Sequence, residues 1–155
     1  MGVEIERKFL VVNSDWRSEV VRSEQLRQGY LSTEAERVVR VRVAGEQGFL
    51  TIKGKRVGDR RSEFEYPIPV EDADFLLEHL CLRPFIAKVR HHLNRRPGDW
   101  IVDVFAMEND GLIMAEVEFD DASPVTDLPD WVGTEVTTDD RYGNSNLQAH
   151  PYQTW

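Results

Sequence analysis

The chain has one cysteine in 155 residues, no apolar stretch near the roughly 20 residues a bilayer demands, and no surplus of positive charge. A single cysteine, Cys81, excludes an intramolecular disulfide and any multi-cysteine zinc site. Its place between Leu80 and Leu82 predicts a small buried side chain in a reducing compartment. Charges near the start stand where a signal peptide would carry its hydrophobic segment, so a cytoplasmic protein without a membrane partner is expected. A net charge of -9, with 19 Lys and Arg spread along the chain, argues against nucleic acid held by a broad basic field. Any anion must be held locally. There is no Walker A loop, dinucleotide fingerprint or Gly-x-Ser-x-Gly elbow. The neighbours His91 and His92 would point to opposite faces of a strand, and His79 and His150 have no partners at ligand spacing, so no imidazole metal centre is expected.

What the chain does have is alternation. A hydrophobic content of 41% over this length is enough for one core, and a single domain over residues 1–155 is expected. Glu4, Glu6 and Lys8 alternate with Val3, Ile5 and Phe9. The same pattern returns with Arg40 and Arg42, with Lys53, with Arg61, Glu63 and Glu65, with Lys88 and Arg90, with Asp103, and with Glu116 and Glu118. Strands are predicted at about residues 3–11, 36–44, 48–55, 61–68, 86–94, 99–106, 111–119 and 133–138. Turn residues between several of them make consecutive strands antiparallel. Helices are predicted over 15–28, capped by Ser14 and carrying Trp16, Val20, Val21 and Leu26, over 71–81, carrying Phe75, Leu76, Leu77 and Leu80, and as a short element near 139–149. The four tryptophans are expected to pack or cover, and residues 120–133 to form an irregular connection.

For one strand, alternate charges would usually form a solvated face. Here those positions are nearly all Glu, Asp, Lys or Arg, and helices are available to cover the apolar faces. Eight antiparallel strands can close into a barrel and bring the charged faces inside. The fold class expected is therefore α+β, predominantly β: a closed eight-stranded antiparallel barrel with a few covering helices. Carboxylates two apart on a strand sit about 7 Å from each other and repel by roughly 2 kcal/mol at an effective dielectric near 20. Neighbouring cations, raised carboxylate pKa values or a divalent metal would relieve this, and an oxygen-only ligand set suits Mg²⁺ or Mn²⁺. Arginines and lysines beside a carboxylate-bound metal are what a polyphosphate requires.

Glu4-Ile5-Glu6-Arg7-Lys8 resembles the ExExK signature of the CYTH domain, the triphosphate tunnel metalloenzymes. The resemblance runs in order through Gln28-Gly29-Tyr30-Leu31, Arg40-x-Arg42, Thr51-Ile52-Lys53, Arg61-x-Glu63-x-Glu65, Lys88-x-Arg90, Asp103, Glu116-x-Glu118, Gly133-x-Glu135-Val136-Thr137 and Tyr142-x-Asn144, as in the short bacterial members. It implies metal ligation by Glu4, Glu6, Glu116 and Glu118, with Glu63, Glu65 and Asp103 as further or supporting groups. It implies phosphate binding by Lys8, Arg40, Arg42, Lys53, Lys88 and Arg90, and puts Lys8, Lys88, Glu4 and Glu6 at the chemistry, with Tyr30 either beside Lys88 or simply packed. His91 and His92 depart from the family pattern at the tunnel rim. The implied activity is metal-dependent hydrolysis of a small-molecule triphosphate, inorganic tripolyphosphate first. A class IV adenylate cyclase, a thiamine or nucleoside triphosphatase, and a triphosphate sensor use or need the same cradle. A homodimer is compatible with all of these.

Overall fold

A computed structural model describes residues 2–119 and 127–155, the side chains of residues 2–4 excepted. Among the described residues, nine strands form one antiparallel sheet: β1 (Gly2–Val11), β2 (Val20–Glu34), β3 (Arg37–Ala44), β4 (Gln47–Lys53), β5 (Arg60–Ile68), β6 (Ile86–Leu93), β7 (Asp99–Phe105), β8 (Ile113–Phe119) and β9 (Val132–Glu135). Their order is β5-β4-β3-β2-β6-β7-β8-β1-β9, and β5 also pairs with β1, which closes eight of them into a barrel. Residues 2–5 of β1 pair with β5, while Phe9 and Val11 pair with β9, so β9 continues the same edge of β1 outside the ring.

The expected barrel is present, but one wall strand was misread as helix. Residues 15–28 form only a short 3-10 turn, Asp15–Glu19, before β2 begins at Val20. Ser14 offers its backbone carbonyl to Arg17 N–H and makes no side-chain cap. The reason lies in the two faces of β2. Glu24, Gln28 and Tyr30 face a polar interior, and Gln25 and Arg27 face water, so the strand carries no apolar stripe to reveal its period of two. The strand expected over 133–138 is the accessory β9. A helix does follow β5, α1 (Val70–His79), and the expected element near 139–149 resolves into a 3-10 turn, Asp140–Tyr142, and α2 (Asn144–Ala149). Of the irregular connection expected over 120–133, residues 120–126 lie outside the described residues.

Alternation turns this barrel inside out. Much of the apolar core lies on its outer surface. One cluster joins Phe9, Leu93, Trp100, Val102, Ala115 and Val117 beneath Trp16 and Trp131. A second joins Val41 and Val43 to Ala73 and Leu77 of α1. That helix sits so close to the sheet that a Cβ on Gly48 would lie 2.8 Å from Ala73 Cβ, and one on Gly29 would lie 3.0 Å from Leu77 Cδ2. Its contact face is Ala73 and Leu77; Phe75 and Leu80, expected to pack, are 58% and 59% exposed. Inside the barrel, one end is filled by Tyr30, Val38, Ile86, Phe105 and Met114, onto which Tyr142 and Leu147 of the C-terminal segment pack. The charged positions occupy the remaining length. Three tryptophans are buried as expected, whereas Trp155 is exposed and stacks edge-on against Tyr142 and Tyr152.

Candidate active site

The charged positions of eight strands enclose a cavity of about 1020 Å³. Topology biases the two walls in sign, although Lys8 of β1 and Arg61 of β5 stand among the carboxylates. Strands β8, β1 and β5 are consecutive around the ring and supply Glu116, Glu118, Glu6 and Glu63; β3, β2 and β6 are consecutive on the other side, where β3 and β6 supply Arg40, Arg42, Lys88 and Arg90.

On the acidic side, register sets Glu6 directly opposite Glu118 and Lys8 opposite Glu116. Like charges facing each other across a strand pair are destabilising. The Glu118 carboxyl shows the cost: burial, then Glu63, Glu6 and Glu116, push its pKa up to about 7, against a weaker opposing pull from Lys53. Glu6 is buried, with Lys8 Nζ at 3.6 Å and Arg56 Nη2 donating to its Oε1 at 2.7 Å. Lys53 Nζ lies 3.8 Å from Glu63, its direct partner in the β4–β5 register. Glu4 pairs with Arg61 in the β1–β5 register; its side chain is outside the described residues.

On the basic side, Asp103 is fully buried and directly opposite Arg90. It accepts two hydrogen bonds from Arg90, each 2.9 Å, and Lys88 Nζ stands 2.8 Å from Oδ2. Burial would raise this carboxyl, but the two cations overcome it and hold it well below the ordinary Asp range. Burial lowers the Lys88 pKa to about 8 against the opposing pull of Asp103. Arg42 drops to about 10 through burial and the nearby Arg40 and Arg90. Arg42 donates to Glu65 at 3.0 Å, Thr51 Oγ1 donates to the same oxygen at 2.9 Å, and Arg40 donates to Thr51 Oγ1 at 3.2 Å. The Nε atoms of Arg40 and Arg42 are buried with no hydrogen-bond partner among the described residues. Unpaired buried donors of this kind cost about 1–3 kcal/mol each and leave a standing demand for an acceptor.

A family model for the CYTH domain matches residues 2–149. The chain belongs to the CYTH domain family. It is 44% identical over its full length to an inorganic triphosphatase of Acetivibrio thermocellus, covering 99% of that protein. The CYTH barrel also superposes on the crystal structure of the inorganic triphosphatase NE1496, with a TM-score of 0.66 and 34% identity over 96% of this chain and 95% of the other. Its fold alone is shared with the PH1012 protein of Pyrococcus horikoshii OT3, with a TM-score of 0.62 and 18% identity over 78% of this chain and 80% of the other.

Within this CYTH domain, Glu6, Lys8, Arg40, Arg42, Lys53, Glu63, Glu65, Arg90, Glu116 and Glu118 line one lumen, while Lys88 and Asp103 are buried in its wall, and two qualifications apply. Asp103 and Glu65 stand among cations, their oxygens engaged by Arg90 and Lys88 and by Arg42 and Thr51. Among the described residues no three carboxylate, imidazole or thiol groups gather at chelating distance. His92 does line the cavity, bonded to Glu24 at 3.1 Å, while His91 faces outward against Trp16. Tyr30 is buried, accepts a hydrogen bond from Gln28 at 3.2 Å and is raised to about 12 by burial. Sequence reasoning left out of the site Asn144, whose Oδ1 accepts from Lys88 at 3.3 Å, and Arg56. The Tyr142-x-Asn144 block was a signal for the first. Arg56 lies between strands, where no alternation could mark it. No helix among the described residues is long and apolar enough to cross a membrane. Half-buried Cys81 has its thiol pushed up to about 11 by burial.

Proposed function

We propose that this chain, as one domain spanning 1–155, hydrolyses inorganic triphosphate to diphosphate and phosphate with the help of Mg²⁺ or Mn²⁺. The observation that carries this reading is the segregation of charge in the lumen. One wall holds carboxylates in surplus, with Glu118 pushed up to about 7, and the facing wall holds buried Nε donors of Arg40 and Arg42 with no partner among the described residues. The full-length identity to an inorganic triphosphatase supports the substrate.

The donor set fits a hard divalent cation: Glu6, Glu116 and Glu118, with Glu4, offer only oxygens and repel one another. When bound, the ion neutralises phosphate charge and polarises the phosphoryl group under attack. The protein's own residues do the rest. Arg40, Arg42 and Arg90, with Lys8 and Lys53, hold the phosphate oxygens and align the chain for in-line displacement by water. The attacking water forms a bond to the terminal phosphorus as the bridging P–O bond breaks, and its proton passes to the carboxylate wall. Lys88, lowered to about 8 and held by Asp103, supplies a proton to the departing diphosphate. Asp103 and Glu65 are read as holders of the cations. Neither nucleic acid nor a membrane enters this reading, because these cations face the lumen. The cytoplasm is the proposed compartment.

Phosphate release from tripolyphosphate, ATP and thiamine triphosphate, with each metal and with EDTA, tests the proposal, together with assay of cyclic AMP. Release from tripolyphosphate that EDTA abolishes, and that Arg42→Ala lowers roughly 10²-fold or more in kcat/KM, is expected. Cyclic AMP would overturn the reaction; tight binding of tripolyphosphate without turnover would make the protein a sensor. Light scattering on the same sample reads whether two copies pair.

A further inference from the structure

Arg56 lies between β4 and β5, outside every strand, and reaches the acidic wall from there. Its Nη2 donates to Glu6 Oε1 at 2.7 Å, a shorter contact than the 3.6 Å between Lys8 and the same oxygen. Glu6 is also the residue set opposite Glu118 in the β1–β8 register, where carboxylate repulsion is concentrated. A guanidinium at this point does the electrostatic work of a cation bound to the wall. Yet the contact is incomplete. Arg56 Nη1 is buried with no hydrogen-bond partner among the described residues, so the guanidinium does not find in this position all that it can bond. A permanent structural pair would be expected to satisfy both ends of the fork.

We propose that Arg56 is an exchangeable internal counterion: it neutralises Glu6 while the acidic wall holds no divalent ion, and it is displaced when one binds. The inference rests on the metal reading of the carboxylate wall given above. The Arg56 side chain is 20% exposed against 5% for Glu6, so the guanidinium has a path to water by which it can leave the carboxylate. The exchange keeps the lumen from carrying several unbalanced carboxylates in the absence of metal, and it sets the affinity for metal below what the bare carboxylates would reach.

The test uses the full chain and Mn²⁺ alone. Calorimetric titration of the metal-free protein should show Arg56→Gln binding Mn²⁺ roughly tenfold more tightly than the wild type, since the ion no longer competes with a charge-assisted hydrogen bond. The same variant should melt below the wild type in EDTA and level with it at saturating Mn²⁺. Lys55→Gln removes an equal charge from the neighbouring cavity-lining position and should change the affinity no more than about twofold. An equal loss of melting temperature with and without metal, at unchanged affinity, would show Arg56 to be a fixed brace and overturn the proposal. So would equal tightening by Lys55→Gln, which would reduce the effect to the general field. A wild type that takes up no Mn²⁺ would instead overturn the metal reading itself.

Discussion

The two walls of the lumen carry opposite charge, and they are completed to different degrees. On the basic wall a fully buried aspartate, Asp103, stands directly across from Arg90 and grips Lys88 as well. On the acidic wall the direct partners are two glutamates, Glu6 and Glu118. The basic wall is closed on its own buried counterion; on the acidic wall Lys8 and Arg56 reach Glu6 and Lys53 reaches Glu63, yet the Glu118 carboxyl stays pushed up by its neighbours. The difference teaches where each is rigid and where each waits. Lys88 and Arg90 are fixed by Asp103 within the protein itself, whereas the carboxylates keep a mutual repulsion that, on the metal reading proposed above, a divalent ion would relieve.

The comparison breaks most sharply at Asp103. Asp103→Asn strips two buried cations of their shared anion, and loss of one partner from such a group costs about 3–5 kcal/mol. Urea unfolding at neutral pH should show that loss, with phosphate release falling alongside it. The acidic wall should respond in the opposite direction. Glu118→Gln removes a repelled carboxylate and should raise the stability of the metal-free protein by about 1 kcal/mol, a figure kept small because the group still reaches solvent, while weakening metal binding. The pH dependence follows in sign. With its folded pKa raised from 4.5 to about 7, Glu118 holds its proton more tightly in the folded chain, so its contribution to stability declines as pH rises from about 4.5 through about 7. Thermal melts in EDTA should show that decline and Glu118→Gln should flatten it. Least affected is the outer face of β1. Arg7 and Glu135 pair at 2.6 Å with both partners partly in water, and Arg7→Gln should shift the unfolding free energy by no more than about 1 kcal/mol.

Most of this division was legible in the sequence because a strand writes its two faces in alternate letters. Glu116-x-Glu118 and Lys88-x-Arg90 announced both a period and a chemistry, and the barrel followed from their number. What stayed hidden lacks that double signal. β2 shows polar residues on both faces, since one lines a charged lumen and the other meets water, so its spacing of Trp16, Val20 and Val21 read as a helix. Asp103 was visible as a lumen acid, but only the β6–β7 register reveals that it belongs to the cations. Arg56 lies between strands, and its contact with Glu6 depends on a chain path that no local pattern encodes.

The outer placement of the core has a further consequence for how the chain finds its fold. Apart from β2, the strands of the ring carry grease on one side and charge on the other, so a slip of one residue in their pairing would drive glutamates or arginines beneath α1 or the tryptophans and leave valines lining the lumen. Misregistered barrels are thus penalised on both faces at once. The charges proposed to bind a ligand in the finished molecule also act, during assembly, as a proofreading code for strand alignment.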